Sequence, residues 1–198
     1  MYFLSNYILS PFDRRKLRCT DTYSLHRIVY SLFDKSEEVQ PHRNILFSEK
    51  LNQQGLTSLY ILSNKCPNQP VYGKIRIREF PNQYLNASQY AFRITINPTK
   101  KESKSGKIIS FKNYQDISSW FCNHSPSWGF KTYESLLQVE NIHVVQFKKE
   151  KHLITLAKAQ ISGHLEVTDR ELFEKSFYQG IGRAKAFGCG LLQLFRYQ

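Results

Sequence analysis

Tyr23, His26, Arg27 and Tyr30 stand within one stretch, residues 21–33, that has the periodicity of a helix. At about 100° per residue, Leu25, Ile28, Val29 and Leu32 gather in one arc. Such a stripe faces a core and fixes the orientation of the helix. Tyr23, Arg27 and Tyr30 fall on the opposite side, with His26 at its shoulder. Tyr23 and His26 are three residues apart and therefore surface neighbours. An exposed group of this kind joins a proton carrier, a fork for a phosphate and two stacking faces. An imidazole titrates near neutrality, so it can act as acid or base at a phosphodiester. The same residues also read as an ordinary surface histidine with two tyrosines packing its rim, and the helix alone does not separate these readings.

A second constellation is Gly180-Ile181-Gly182-Arg183-Ala184-Lys185-Ala186-Phe187-Gly188-Cys189-Gly190. Its glycines let the backbone turn through positive φ and let another chain come close. It is not a dinucleotide fingerprint, because Lys185 stands where the third glycine belongs and the loop leaves a helix where a fingerprint would open one. Arg183 and Lys185 among these glycines suit the grip of a nucleic-acid phosphate; a tight connection carrying solvated charges is the plainer alternative. Lys148, Lys149 and Lys151 flank Glu150 at the expected turn of a β-hairpin, a basic tip that could reach a groove of structured RNA or simply meet solvent. Lys100, Lys101, Lys104 and Lys107 form a further cluster in a mid-chain loop.

The whole composition leans the same way. Among 198 residues, 28 are Lys or Arg and 16 are Asp or Glu, a formal net charge of +12. Residues 1–99 carry 13 basic and 7 acidic side chains and residues 100–198 carry 15 and 9, so neither half is a basic tail on a neutral body. Positive surface on both halves fits a polyanionic partner. With 41% hydrophobic residues a core can form. No run approaches the length of a membrane span, and Met1–Ser5 lacks the features of a secretion signal, so a cytoplasmic protein with no membrane partner is expected. Cys19, Cys66, Cys122 and Cys189 are far apart, and the six histidines make no paired motif. That spacing suits reduced thiols and gives neither a zinc site nor any other metal site, so no cofactor is expected.

The elements that must place these residues read as one pattern twice over. In the first half come a strand at 2–9 closed by Ser10-Pro11, the helix at 21–33, strands at 44–49 and 57–63, and a strand at 91–96 closed by Asn97-Pro98. Between the last two lies an irregular stretch, 64–89, that includes the alternating run Lys74–Arg78. The second half offers strands at 107–111, 136–148 and 152–167, helices near 113–123 and 169–179, and a last strand at 191–196. Thr168 and Glu171 have the spacing of a capping box. The expectation is an α+β chain of tandem ferredoxin-like (RRM-like) domains. An N-terminal domain, 1–97, carries the helix of Tyr23 and His26, and a C-terminal domain, 98–198, carries the glycine-rich loop.

The segment from Gly180 to Leu192 resembles the glycine-rich signature of the CasE family, CRISPR-associated endoribonucleases that cut the repeat hairpins of precursor guide RNA. Tyr23-Ser24-Leu25-His26-Arg27 is similar to that family's catalytic helix, Phe92–Lys100 to its mid-chain strand and Asn-Pro turn, and Ser162–Asp169 to its approach to the last helix. The resemblance spans nearly the whole chain. It implies metal-independent cleavage with His26 as the central catalytic residue, assisted by Tyr23. Arg27, Lys104, Lys107, Lys148, Lys149, Lys151, Arg183 and Lys185 would then bind RNA, and Gly180, Gly182, Gly188 and Gly190 would shape the loop. The implied partners are a CRISPR repeat stem-loop, its crRNA product and the other subunits of a Cascade-like effector complex. Two departures stand out. Residues 64–89 show no family pattern, and a second N-terminal helix is missing. The cation that steadies the transition state does not carry over, and acid and base stay unassigned between His26 and Tyr23.

The proposed chemistry is attack of a ribose 2′-OH on the adjacent phosphate, a reaction whose nucleophile is already tethered to its target. A rival reading is a non-catalytic RNA-binding protein built of two RRM-like modules. Such modules carry aromatic RNP motifs on their central strands, and none is found here. A ribosomal or structural protein would explain the charge but not the Tyr23/His26 pair.

Overall fold

The computed structural model describes residues 1–33, 45–102 and 106–196. The chain begins with β1 (Phe3–Leu9), which ends where Pro11 removes a backbone donor. A short helix that the sequence did not announce, α1 (Pro11–Lys16), follows at once, capped by Ser10 and Asp13. Then come α2 (Thr22–Tyr30), β2 (Ile45–Leu51), β3 (Thr57–Ser63) and β4 (Lys74–Glu79). These four strands form one antiparallel sheet in the order β2-β3-β1-β4. That order is ferredoxin-like, with α2 as the crossover between β1 and β2. The second crossover, residues 64–73, contains no helix, as the sequence suggested.

The second half opens with β5 (Gln89–Ile96) and a small hairpin of β6 (Thr99–Lys101) and β7 (Ile108–Ser110). It continues through α3 (Tyr114–His124), β8 (Phe130–Lys131), the long strands β9 (Leu137–Lys149) and β10 (His152–Val167), α4 (Arg170–Gln179) and β11 (Gln193–Phe195). The sheet order is β11-β5-β10-β8, with β9 also on β10. This is the ferredoxin-like order again, with α3 and α4 as the two crossovers.

One assignment changes. The strand at 91–96, read from sequence as closing the first half, pairs instead with β10 and β11. The first sheet is completed by the alternating run in the irregular stretch, β4, which lies along β1. The division expected after Asn97 is thus displaced toward the N-terminus, and the sheets part between Glu79 and Gln89. The connection there, a single 3₁₀ turn at Asn82–Asn86, is held by the second module. Arg170 donates to the carbonyls of Leu85, Asn86 and Ala87, and Arg196 to those of Gln83 and Tyr84.

Two cores result. Leu25, Ile28 and Val29 of α2 pack on Tyr7, Leu9, Phe47, Leu59 and Ile61. Phe121 of α3 and Phe173 and Phe177 of α4 pack on Phe92, Ile94 and Ile161, and this second core also takes in Leu46 and Leu62 from the first sheet. The open faces of the two sheets therefore approach each other. A cleft of about 1210 Å³ remains between them, lined in part by Tyr60, Arg78, Arg93, Gln160 and Gln193.

Candidate active site

α2 starts at Asp21, whose carboxylate accepts from Ser24 N at 2.8 Å while Ser24 Oγ accepts from Asp21 N at 2.9 Å. This reciprocal cap fixes the first turn and with it the direction of Tyr23. The apolar stripe anticipated from sequence, Leu25, Ile28, Val29 and Leu32, is buried as expected, although the helix ends at Tyr30 and Leu32 lies beyond it, where Phe33 is buried as well.

The opposite face differs from the expectation. Arg27 is exposed, but Tyr23, His26 and Tyr30 are half-buried, because two elements of the second module lie across them. One is the glycine loop. Ala184 takes φ 59 and Gly188 φ 82, and between them Lys185–Phe187 make a single 3₁₀ turn. That turn aims the Ala186 carbonyl at the helix, where His26 Nδ1 meets it at 2.9 Å. Phe187 lies 5.6 Å from the imidazole, ring centre to ring centre. The other element is the β9–β10 hairpin, whose buried Phe147 is parallel to Tyr23 at 6.2 Å and packs on Phe187 at 4.8 Å. Tyr23 and Tyr30 flank His26 at 5.9 and 4.2 Å. His26 thus sits in an aromatic cage built from both halves of the chain.

The geometry sets the tautomer. A carbonyl oxygen only accepts, so the Nδ1 proton of His26 points at Ala186 and the neutral ring keeps its lone pair on Nε2. Burial lowers the pKa of His26 below its ordinary value; the bond to Ala186 opposes this and the charge of Lys149 adds to it. The net shift favours the neutral ring, which has the free lone pair a base requires.

Side-chain alternation identifies which cation of the hairpin faces the site. Phe147 points into the cage, and Lys149, two residues on along β9, shares its face while Lys148 takes the other. Lys151 lies in the exposed turn, where Glu150 adopts φ 56. The hairpin tip is where the sequence placed it. Arg183 is exposed on the glycine loop. Lys185 is partly committed to structure, donating from Nζ to Gln179 O at 2.8 Å across the end of α4, and burial lowers its pKa. Lys107 stands beside the β6–β7 hairpin, and Lys104 lies outside the described residues.

The four glycines of the loop do different work. Gly180 ends α4 at φ 77, and an added Cβ there would meet Leu46 Cδ2 at 2.6 Å; at Gly190 it would meet Ile181 O at 2.5 Å, and at Gly182 nothing. The α4 cap is also reassigned. Asp169 caps the helix, accepting from Leu172 N at 3.0 Å, where the sequence had suggested Thr168.

The sequence did not identify Ala186, Phe187 or Phe147 as site residues. The two phenylalanines could have been suspected from their places within the glycine loop and beside the basic tip. The Ala186 carbonyl leaves no mark on residue type. Among the described residues, no group of His, Cys, Asp and Glu side chains could hold a metal ion.

Comparison with known proteins agrees along the full length. A family model described as CRISPR associated protein matches residues 1–196. The CRISPR-associated endoribonuclease Cse3 of Thermus thermophilus is 24% identical over 210 residues, which cover 97% of this chain and 99% of that protein. The structure of Thermus thermophilus Cse3 bound to an RNA representing a pre-cleavage complex superposes with a TM-score of 0.84 at 19% identity, over 98% of this chain and 99% of the other. A chain of a CRISPR RNA-guided surveillance complex, pre-nicking, superposes with a TM-score of 0.70 at 19% identity, covering 96% and 98%. The shared fold is the tandem ferredoxin-like one described above.

Proposed function

The chain belongs to the CRISPR associated protein family, and on that premise we propose that it is an endoribonuclease that cuts CRISPR repeat stem-loops in precursor guide RNA. The observation that carries this reading is the bond from His26 Nδ1 to Ala186 O, which leaves Nε2 of a neutral imidazole as the proton acceptor. The relative's printed name as an endoribonuclease and the RNA-bound structure of similar fold supply the substrate class.

In the proposed reaction the ribose 2′-OH 5′ of the scissile phosphate gives its proton to His26 Nε2. Its oxygen bonds to phosphorus, the bond from phosphorus to the 5′-oxygen breaks, and the products are a 2′,3′-cyclic phosphate and a 5′-hydroxyl. Tyr23, one turn back on α2, donates the proton that the departing 5′-oxygen needs, and exchange with water resets both groups. Tethering of the nucleophile supplies the entropic advantage. The positive charge of Lys149 on the cage side of the hairpin stabilises the phosphorane. Arg27, Lys148, Lys151 and Arg183 surround this centre as phosphate contacts. The product stays bound, and the protein with its crRNA serves as a subunit of a Cascade-like effector in the cytoplasm.

A repeat hairpin with a 2′-deoxy nucleotide immediately 5′ of the scissile phosphate tests this directly. It removes the nucleophile and leaves the phosphates and stem shape, so it should bind and stay intact. The all-ribose hairpin should yield the cyclic phosphate and the 5′-hydroxyl. Cleavage of the deoxy hairpin at the same bond would overturn the mechanism, and a protein that binds the ribose hairpin without cutting it would be the RNA-binding module considered from sequence.

A further inference from the structure

Lys158 is a lysine in an unusual place. Its side chain is 3% exposed, and Nζ lies 3.5 Å from Oε1 of Glu49, itself 38% exposed. Lysines are rarely buried, and a buried ion pair seldom returns in stability what its desolvation costs. The surroundings of this pair suggest what it secures.

Lys158 marks the root of the β9–β10 hairpin. The register of the two strands breaks between Lys158 and Gln160, and Asn141 on the facing strand takes φ 52. Beyond the break, residues 159–166 lie in the sheet beside β5, whereas residues 152–158 pair with β9 alone. That free arm carries Phe147 and Lys149 to α2. Lys158 also backs the glycine loop: a Cβ at Gly188 would lie 3.6 Å from its Nζ and 3.2 Å from the ring of Phe47. The neighbouring thiol of Cys189, pushed up to about 11 by burial, feels the charges of both Lys158 and Glu49. Glu49, for its part, belongs to β2, whose Phe47 lies in the core beneath α2.

We propose that the Lys158–Glu49 pair is a positioning device that fastens the hairpin root and the glycine loop of the second module to the sheet under α2, and so keeps the Ala186 carbonyl, Phe187 and Phe147 seated on His26. Its effect on rate rests on the reading of His26 as the catalytic base; its effect on the His26 environment does not. Neither residue touches the reacting atoms in this scheme. They act through the cage.

The titration of His26 reads the device without reference to activity. The groups facing its ring are Lys149 from the hairpin, Tyr23 and Tyr30 from its own helix, and Ala186 and Phe187 from the loop. None of them is altered by a substitution at 158 or 49, and Lys158→Met and Glu49→Gln change the charge in opposite senses, so an upward shift common to both reports displacement of these groups and not the lost charge itself. Ring-proton NMR should be followed against pH in the full chain and in its Lys158→Met, Lys158→Arg and Glu49→Gln variants, with His26→Ala assigning the resonance. In the parent protein His26 should titrate below the ordinary histidine value. In Lys158→Met it should move up toward that value as the ring is uncovered, and Lys158→Arg should return it. Single-turnover cleavage of the repeat hairpin should fall about 10- to 100-fold in Lys158→Met, on the scale of losses from a misplaced catalytic group, with most of the RNA affinity kept. A His26 titration unmoved in Lys158→Met overturns the proposal. Should that variant not fold, Glu49→Gln at the more exposed end of the pair makes the same comparison, and an unmoved titration there overturns the proposal equally. If the parent protein cuts no RNA, the function proposed above fails while the titration still decides the role of the pair.

Discussion

His26 and the carbonyl that orients it are separated by 160 positions in the chain, so the chemistry of this residue is set by the meeting of two modules. The bond from Nδ1 selects the tautomer, and partial burial shifts the ring toward its neutral form. Replacement of His26 by Ala should lower the cleavage rate by at least about 10²-fold, the usual scale of a lost general base. Hairpin affinity, measured by filter binding, should be little changed, because a proton carrier is lost and no phosphate clamp. The pH profile follows from the direction of the shift. A lowered pKa means that the neutral, basic form is already present at pH values where an ordinary histidine is half protonated. The second-order rate of single-turnover cleavage at low protein concentration, which reports the free enzyme, should therefore rise with pH through an apparent pKa below the ordinary histidine value of about 6.5. Since the charge of Lys149 pushes the same way, Lys149→Gln should move that limb upward in pH. A histidine limb that falls as pH rises would mean that His26 acts as its cation, and the roles of base and acid would have to be exchanged.

At the scale of elements, the glycine loop allows a prediction in which space and backbone strain separate. Gly182 and Gly190 both hold positive φ, 75 and 85, but a Cβ at Gly182 meets nothing, whereas at Gly190 it stands 2.5 Å from Ile181 O. Gly182→Ala should cost about 1 to 2 kcal/mol, the strain of a left-handed residue. Gly190→Ala should cost distinctly more, because backbone must move, and urea unfolding of the two variants would rank them. Much of this architecture was legible in the sequence. The buried stripe of α2, the hairpin with Lys148–Lys151 at its tip, the loop of glycines and the absent second helix of the first module all stand where periodicity and turn residues put them. What was not legible depends on partners distant in sequence. The alternation in Ala91–Ile96 announces a strand but not the sheet it joins, and β5 belongs to the second half. β4 was hidden because its short alternation sits among prolines and asparagines. The face of α2 read as exposed is covered by a loop and a hairpin from the other module, and no wheel projection of one helix can register a lid that arrives from elsewhere.

For the molecule as a whole, a charge of +12 divided between two modules gives affinity for RNA but does not say which cations touch it. Salt dependence can. Each phosphate contact that is lost should lower the slope of log K against log salt by about 0.9 on a duplex and about 0.7 on a single strand. Arg183 and Lys185 look equivalent in the sequence, two residues apart among glycines, yet the structure treats them differently. Arg183 is exposed, whereas Lys185 has its ammonium on the Gln179 carbonyl and is partly buried. Arg183→Ala should therefore weaken hairpin binding and reduce the slope by nearly one, while leaving the unfolding midpoint close to that of the parent. Lys185→Ala should do the reverse: it frees a carbonyl at the end of α4 and loosens the loop that carries Ala186, so stability and cleavage rate should fall more than the slope does. Binding isotherms between about 50 and 200 mM salt, the range over which such contacts are conspicuous, with denaturation curves for each variant, would measure both. Equal reductions in slope from the two substitutions would show that Lys185 leaves the Gln179 carbonyl for a phosphate when RNA arrives, and the loop would then have to rearrange on binding. A slope unmoved by either would make the loop a scaffold for His26 alone and leave the grip on the RNA to the hairpin and to α2.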